Sequence, residues 1–181
     1  MNIHSFQIEG PILIEPRVFD DERGSFMESY NHQKFKEAVG AEVNFFQDNE
    51  SHSFKDVLRG LHYQSPPKAQ AKLVRVVQGA VLDVIVDVRE ESATFGQHLK
   101  FVLSATNQKQ LYIPEGFAHG FLALDENNVF LYKCSAYYSP EHENTLLWND
   151  PDLGIDWGID TPILSDKDQQ GISFRDMKPV F

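Results

Sequence analysis

The feature that most constrains the fold is a succession of short apolar segments that have the composition of β-strands. They are rich in β-branched and aromatic residues, and Gly, Pro, Asn, Asp or Ser separates each from the next. Only residues 33–39 have a helical pattern, with Gly40 as a candidate C-cap. Many short strands with few helices predict an all-β sandwich or barrel and not a βαβ sheet. The predicted strands cover residues 43–47, 57–63, 71–77, 80–88, 98–104, 110–113 and 129–138.

Two turns and one alternating strand give more detail. Gln78-Gly79 predicts a hairpin turn because glycine readily takes a positive φ, and Asn127-Asn128 is a second candidate turn. Strand alternation places Asp83 and Asp87 on one face. We expect that face to be solvated, although it could instead line a polar cavity. The tail, residues 144–181, is expected to contain a few short helices and to cover one end of a barrel.

Composition and charge limit the class of protein. The 181 residues carry a formal charge of −11 and offer no basic stripe, which argues against a general nucleic-acid binder. No apolar run approaches the roughly 18 residues of a membrane helix, and residues 1–7 lack the pattern of a secretion signal. The single cysteine, Cys134, excludes an intrachain disulfide and a Cys-rich zinc site. We expect one domain over residues 1–181, located in the cytoplasm and without nucleic-acid or membrane partners.

The segment from Leu58 to Gln64 places polar side chains where a strand is expected to be apolar. Arg59 and His62 have opposite parity, so a regular strand directs them to opposite faces. Gly60 between them permits a bulge that lets both side chains point inward. An imidazole titrates near neutral pH, so His62 is a candidate base, although a lone strand histidine is more often structural.

The run from Ile113 to Phe121 contains Pro-x-Gly-x-x-His. It resembles the second motif of cupin-type barrels, in which the histidine points inward. Metal-binding cupins also offer His-x-His and a nearby Glu, whereas this chain has His62-Tyr63-Gln64 at the first motif. A transition metal usually takes three or four protein ligands, and His62 and His119 alone are too few. We therefore expect no metal.

Phenols and cations complete the set of candidate residues. Tyr132 and Tyr138 share the strand parity of Phe130, so a phenol there could donate a proton or bind a ligand, with aromatic packing as the ordinary alternative. In an acidic chain, a cluster of cations would mark an anionic ligand such as phosphate, although solvated positions explain them equally well. The cations in question are Arg23, Arg59, Lys72 and Lys167.

Seven motifs, taken in order, resemble the dTDP-4-dehydrorhamnose 3,5-epimerases, a family of metal-free cupin enzymes of deoxysugar biosynthesis. The resemblance covers about residues 3–170, and its strength lies in the order of the motifs. They are Asp21-x-Arg23-Gly24-x-Phe26-x-Glu28, Gln47-Asp48-Asn49, Val57 to Gln64, Gln70-x-Lys72-Leu73-Val74-Arg75-Val76, Ile113 to Phe121, Tyr132-Lys133 and Ser165-x-Lys167-Asp168.

The resemblance implies a cupin-type jelly-roll β-barrel, a homodimer and no cofactor. It implies that an N-terminal strand crosses to the partner subunit, so that Arg23, Phe26 and Glu28 complete the neighbouring site. The implied reaction converts dTDP-4-dehydro-6-deoxy-D-glucose to dTDP-4-dehydro-L-rhamnose by epimerisation at C3 and C5. That step belongs to dTDP-L-rhamnose biosynthesis.

The resemblance also implies roles for individual residues. His62 matches the base, Asp168 the group that orients it, and Tyr132 the acid across the sugar ring. Lys72 matches the group that stabilises the enolate. The implied contacts to phosphate, sugar and nucleotide are Arg23, Glu28, Gln47, Asn49, Arg59, His119, Tyr138, Glu143 and Lys167.

Three other functions stay open at this point. A relative that epimerises only C3 or only C5 would keep the same His, Asp and Lys. A cupin that binds nucleotide sugars without catalysis would have no reason to retain the four residue types of the implied catalytic set. A metal-dependent cupin oxygenase is disfavoured because His-x-His is absent.

Overall fold

The computed structural model describes residues 1–181 and contains thirteen strands, two α-helices and two 3₁₀ turns. The strands are β1 (Asn2–Ser5), β2 (Ile12–Glu15), β3 (Val18–Asp21), β4 (Gly24–Met27), β5 (Gln47–Phe54), β6 (Leu58–Gln64), β7 (Lys72–Gln78), β8 (Ala80–Asp87), β9 (His98–Ser104), β10 (Gln110–Ile113), β11 (Phe117–Ala123), β12 (Asn127–Cys134) and β13 (Glu143–Thr145). The helices are α1 (His32–Val39) and α2 (Asp166–Gln169), and the 3₁₀ turns are Pro140–His142 and Phe174–Asp176.

Eleven of the strands form two antiparallel sheets. The larger sheet has the order β1-β2-β10-β7-β12-β5, and the smaller has the order β13-β6-β11-β8-β9. Strands β3 and β4 form a separate hairpin. Strands that follow one another in the chain often lie in opposite sheets, as in a double-sheet jelly roll. The prediction of an all-β jelly roll is confirmed.

Three apolar clusters hold these layers together. The first lies between the sheets and includes Val74 from the larger sheet and Ile85 from the smaller. The second joins outward residues of the smaller sheet, such as Val84, to tail residues such as Trp157. The third packs Phe35 of α1 on the outer face of the larger sheet. Burial of one such side chain contributes about 1.5–3 kcal/mol, so helix and tail are integral to the fold.

Helix α1 begins and ends close to the predicted limits. The Asn31 side chain accepts a hydrogen bond from Lys34 N, and Gly40 takes the left-handed conformation with φ of 74° as the C-cap. The predicted short helices of the tail are also found, as α2 and the two 3₁₀ turns. No helix in the structure has the length and apolar character needed to cross a membrane.

Two predicted turns and two strand limits are wrong. Gly79 closes no hairpin, because β7 and β8 lie in different sheets and the turn carries the chain from one to the other. The chain turns before Asn127-Asn128, and both asparagines open β12. There the Asn128 side chain accepts a hydrogen bond from Ala80 N. This bond joins the connection between β7 and β8 to the connection between β11 and β12, each of which passes from one sheet to the other. Residues 43–47 contribute only Gln47 to β5, and β12 ends at Cys134.

The expectation of a solvated face on β8 is also wrong. Asp83 and Asp87 are both fully buried. Asp83 shares its face with Ile85 of the core between the sheets, while Asp87 is satisfied by hydrogen bonds from Arg89, Ser92 and Thr94. The opposite face of β8 receives the tail. The tail therefore covers the outer face of the smaller sheet, where we expected it to cover the end of a barrel.

Candidate active site

A cleft of about 410 Å³ opens between the two sheets, and most of the predicted site residues line it. Eleven of the fourteen are brought together here: Gln47, Asn49, Arg59, His62, Lys72, His119, Tyr132, Tyr138, Glu143, Lys167 and Asp168. The other three, Arg23, Phe26 and Glu28, lie outside it.

A bulge in β6 directs Arg59 and His62 into the same cleft. His119 pairs with His62 and Phe121 pairs with Arg59, so three steps on β6 face two on β11. Gly60 at the bulge has a φ of 121°, and a Cβ there would lie 2.5 Å from the Cα of Gly120. Only glycine fits this close approach. The bulge that the sequence predicts is confirmed.

The His62 imidazole is held by the tail. Its Nε2 donates to Asp168 Oδ1 over 2.6 Å, which leaves Nδ1 without a protein partner. Asp168 is buried, and its Oδ1 also accepts from Gly60 N while Oδ2 accepts from Ser165 Oγ. Burial alone raises the pKa of Asp168, but the hydrogen bonds from His62, Ser165 and Gly60 outweigh it and hold the pKa below its usual value. The carboxylate therefore stays ionised beside the ring.

A second His–Asp pair lies next to the first. His119 faces His62 across the β6–β11 ladder, and its Nε2 donates to Asp83 Oδ2 over 2.9 Å. Burial lowers the pKa of His119, although Asp83 opposes that shift. Sequence reasoning did not place Asp83 in the site. The signal was available, because a strand aspartate that shares a face with core residues needs a buried partner.

Lys72 and Tyr132 enter from the larger sheet. Lys72, Cys134 and Gln47 occupy one row across β7, β12 and β5, and Tyr132 pairs with Asn49 in the neighbouring part of the ladder. The Lys72 side chain makes no hydrogen bond or ion pair, and burial lowers its pKa. Burial raises the pKa of Tyr132, so its phenol stays protonated near neutral pH. The cleft thus holds a lysine side chain without a protein partner and a protonated phenol.

The rim of the cleft is tied by side chains from three segments. Glu143 accepts hydrogen bonds from Lys167 Nζ and Tyr138 OH, each over 2.8 Å. Gln47 Oε1 accepts from the backbone N–H of Tyr138, and Gln47 Nε2 donates to Asn49 Oδ1. Together these bonds bring groups of both charges to the entrance.

Arg59 lines the cleft and is held there by two hydrogen bonds. Its Nε donates to Ser53 Oγ over 3.0 Å, and its Nη2 donates to the carbonyl of His52 over 3.1 Å. The guanidinium has no carboxylate partner, so its positive charge is available to an anion. Ser51, which also lines the cleft, carries a buried hydroxyl with no partner in the protein.

The β3–β4 hairpin carries the predicted residues that lie outside the cleft. Arg23 is exposed and pairs with Asp21 at the hairpin turn. The Phe26 side chain is 69% exposed, and Glu28 accepts a hydrogen bond from Lys34 Nζ over 2.7 Å. None of them contributes to the cleft of its own chain.

The arrangement is suited to proton transfer. A histidine oriented by a carboxylate can take a proton, a phenol can return one, and an ammonium can stabilise the negative charge that develops between them. No three His, Cys, Asp or Glu side chains cluster with the spacing of a metal site.

A jelly-roll fold with an oriented histidine, a lysine and a phenol between its sheets defines a cupin-type acid–base enzyme. The family model described as dTDP-4-dehydrorhamnose 3,5-epimerase matches residues 5–176. The chain belongs to the dTDP-4-dehydrorhamnose 3,5-epimerase family. The predicted family and its enzyme class, an isomerase, are confirmed.

Individual relatives agree with this assignment. The chain is 52% identical over 176 residues to a dTDP-4-dehydrorhamnose 3,5-epimerase of Shigella flexneri, covering 97% of each chain. It is 46% identical to the solved structure of a dTDP-6-deoxy-D-glucose-3,5-epimerase from Legionella pneumophila in complex with dTDP-4-keto-L-rhamnose, with a TM-score of 0.94 and coverage of 98% and 94%. A 3'-monoepimerase from Streptomyces bikiniensis in complex with dTDP-quinovose is 37% identical, with a TM-score of 0.90 and coverage of 95% and 87%.

Proposed function

We propose that the chain epimerises dTDP-4-dehydro-6-deoxy-D-glucose at C3 and C5 to give dTDP-4-dehydro-L-rhamnose, in dTDP-L-rhamnose biosynthesis. The observation that carries the proposal is the His62–Asp168 pair in a cleft shared with Lys72 and Tyr132. Membership of the 3,5-epimerase family supports the choice of both carbons.

The mechanism follows from the C4 ketone of the substrate. The ketone acidifies the protons on the neighbouring carbons, C3 and C5. His62 removes one proton, and Asp168 stabilises the resulting imidazolium. Lys72 stabilises the negative charge on the enolate oxygen. Tyr132 returns a proton from the opposite face, which inverts the carbon. Because the substrate carries its own activating ketone, the reaction needs no cofactor.

The remaining cleft residues bind the nucleotide and sugar in this proposal. Arg59 and His119 contact phosphate or sugar, and Lys167 exchanges its bond to Glu143 for a bond to an anionic oxygen. Tyr138 stacks on the thymine ring. Gln47, Asn49 and Glu143 supply further polar contacts to the nucleotide sugar.

We also propose a homodimer in which the N-terminal segment crosses to the partner subunit. The exposure of Phe26 and the position of Arg23 and Glu28 outside their own cleft support it. In mixed dimers, an Arg23→Ala subunit should impair the site of its partner, measured as activity when that partner alone is otherwise intact. Damage confined to the mutated subunit's own site would contradict the exchange.

The domain organisation and the cellular location complete the proposal. Residues 1–181 act as one domain, because the tail that carries Asp168 packs on the sheet that carries His62. The cytoplasm is the proposed location, as expected of an enzyme that makes a nucleotide-sugar precursor.

Proton NMR in D₂O tests the reaction directly. The protein is incubated with dTDP-4-dehydro-6-deoxy-D-glucose, and a second tube also contains a dTDP-4-dehydrorhamnose reductase. We expect deuterium at both C3 and C5, and dTDP-L-rhamnose in the second tube. Exchange at one carbon only would indicate a mono-epimerase, the function of the Streptomyces relative. No exchange with dTDP still bound would indicate a non-catalytic nucleotide-sugar binder.

The same assay tests the acid. Tyr132→Phe removes the phenol proton but leaves His62 in place, so formation of epimerised product should fall by about 10²-fold or more. Deuterium exchange into the substrate should fall much less. If exchange stops together with product formation, Tyr132 has a role other than that of the acid.

A further inference from the structure

The two carboxylate oxygens of Asp168 have separate partners. Oδ1 accepts from His62 Nε2 and from Gly60 N, whereas Oδ2 accepts from Ser165 Oγ over 2.6 Å. Ser165 is also the N-cap of α2, since its Oγ accepts from Asp168 N over 3.2 Å. One hydroxyl therefore fixes both the backbone and the carboxylate of the residue that holds the histidine.

The same motif occurs a second time, away from the cleft. Ser173 caps the 3₁₀ turn Phe174–Asp176, donates to Asp176 Oδ2 over 2.7 Å and accepts from Asp176 N over 3.2 Å. The local geometry of the two Ser-x-x-Asp caps is nearly identical. They differ in what the second carboxylate oxygen contacts. Oδ1 of Asp168 accepts a hydrogen bond from the imidazole of His62, whereas Asp176 lies on the exposed surface.

We propose that Ser165 is a positioning residue for the acid–base reaction, acting through Asp168 on His62. By holding Oδ2, its hydroxyl prevents rotation of the carboxylate and keeps Oδ1 aimed at the imidazole. It also takes a share of the carboxylate's hydrogen-bonding capacity, which moderates how strongly Asp168 stabilises an imidazolium. Ser165 lines the cleft but carries no step of the reaction itself. The inference rests on the proposed function of His62 as the base.

Two effects of removing this hydroxyl are expected. The carboxylate gains freedom to rotate, so the histidine spends less time in its productive orientation and kcat falls. Its unshared negative charge stabilises the imidazolium more strongly, so the acid limb of the kcat/KM profile moves to higher pH. The other charged or titratable side chains of the cleft stay in place in these variants; they are Arg59 of β6, Lys72 of β7, His119 of β11, Tyr132 and Cys134 of β12, Tyr138, Glu143 of β13 and Lys167 of α2.

The test uses four variants of the full chain. Ser165→Ala removes the hydroxyl, and Ser165→Gly removes it while keeping a residue that caps helices well, which protects against loss of the fold. Ser165→Thr keeps a hydroxyl. Ser173→Ala breaks the matched cap at the surface and controls for the structural cost of the motif. The readouts are kcat, KM, the pH profile of kcat/KM, and the downfield NMR resonance of the imidazole N–H that bonds to Asp168.

For Ser165→Ala and Ser165→Gly we expect kcat to fall about 10–100-fold with KM nearly unchanged, by analogy with the range found for groups that hydrogen-bond and orient metal-binding histidines. The acid limb should move to higher pH and the downfield resonance should shift. Ser165→Thr should restore all three, and Ser173→Ala should resemble the wild type. Wild-type kcat, pH profile and resonance in both hydroxyl-free variants would overturn the proposal.

The resonance separates this inference from the proposed function. If the wild-type protein fails to exchange deuterium at C3 and C5, the proposed function fails, and with it the catalytic role of Ser165. If the wild type is active, and the resonance and kcat are the same in the wild type and in the variants without the Ser165 hydroxyl, only the role of Ser165 fails.

Discussion

Two His–Asp pairs lie side by side in this protein, with their histidines facing each other on β6 and β11, and they differ in almost everything except residue type. The His62 side chain is 22% exposed to the cleft, whereas that of His119 is 8% exposed. Asp168 accepts hydrogen bonds from three neighbours, while Asp83 pairs only with His119 and leaves Oδ1 without a partner. Neighbouring positions in one ladder therefore create two chemical environments.

The difference shows what makes a histidine suitable as a base. His62 has one ring nitrogen fixed by an ionised carboxylate and the other facing the cleft, so it can accept a proton that the carboxylate then stabilises. His119 sits where burial lowers its pKa, so it stays a neutral hydrogen-bonding group. In the proposed mechanism the pairing with an aspartate does not distinguish the two histidines; access to the cleft and the hydrogen bonds to the carboxylate do.

The largest expected effect comes from breaking the His62–Asp168 pair. His62→Ala removes the proposed base, and turnover should fall by about 10²–10⁴-fold or more, the usual contribution of general acid–base catalysis. Affinity for dTDP should stay close to that of the wild type, because the base contacts the sugar. Steady-state kinetics and titration calorimetry with dTDP measure the two quantities. A comparable loss of dTDP affinity would contradict the role assigned to His62.

The next effect tests the cation in the same cleft. Lys72→Met keeps the length of the side chain but removes the ammonium that we propose stabilises the enolate, so kcat should fall by about 10²–10³-fold. Lys100→Met is the matched control, because Lys100 donates to the carbonyl of Asp156 away from the cleft. We expect the control to keep wild-type turnover. Equal activity of the two variants would remove Lys72 from the mechanism.

A third variant disturbs both pairs through the bulge between them. Gly60→Ala places a Cβ 2.5 Å from Gly120 Cα and 2.7 Å from His119 O, at a φ of 121°. We expect a loss of about 1–3 kcal/mol in the free energy of unfolding, measured by urea denaturation, together with reduced turnover. Gly158→Ala, also at positive φ but with open space around it, should cost less. A smaller loss at Gly60 than at Gly158 would contradict the tight packing described for the bulge.

The smallest effect concerns the buried pair and pH. The pKa of His119 is lowered in the folded state, so below the unfolded value of about 6.5 the unfolded chain binds a proton that the folded chain does not. Stability from this group is complete above pH 6.5 and is lost as the pH falls toward the lowered value. His119→Gln should flatten that slope by up to about 1.4 kcal/mol per pH unit, measured by denaturation between pH 5 and 7. An unchanged slope would show that His119 is not the group responsible.

The sequence predicted which residues would line one cleft better than it predicted the connections between strands. Arg59, His62 and the glycine between them form a local pattern, so the bulge was readable from three residues. The Pro-x-Gly-x-x-His run is equally local. By contrast, whether Gly79 closes a hairpin depends on which sheet receives the next strand, and that is decided by packing across the whole molecule. A glycine at this turn is compatible both with a hairpin and with a connection between two sheets.

The burial of Asp83 and the polar strand β5 illustrate the same limit. Alternation placed Asp83 on a face but could not say whether the tail or the second sheet would cover it. Strand β5 runs through the polar residues from Gln47 to His52, so apolar periodicity gave no sign of it. Its hydrogen bonds to β12 and its polar contacts in the cleft explain why those residues form a strand. The four N-terminal strands are also short, and apolar patterning did not predict them, although the family resemblance implied a strand in that segment.

The separation of His62 and Asp168 along the chain has a consequence for how the protein can be studied. The two residues are 106 positions apart, and Asp168 lies on the tail that covers the outside of the smaller sheet. If the tail detaches first in denaturant, turnover disappears while the β-sheet signal persists; if unfolding is a single step, the two losses coincide. A simple assay of turnover thus reports whether the tail is docked, as well as the chemistry of the cleft.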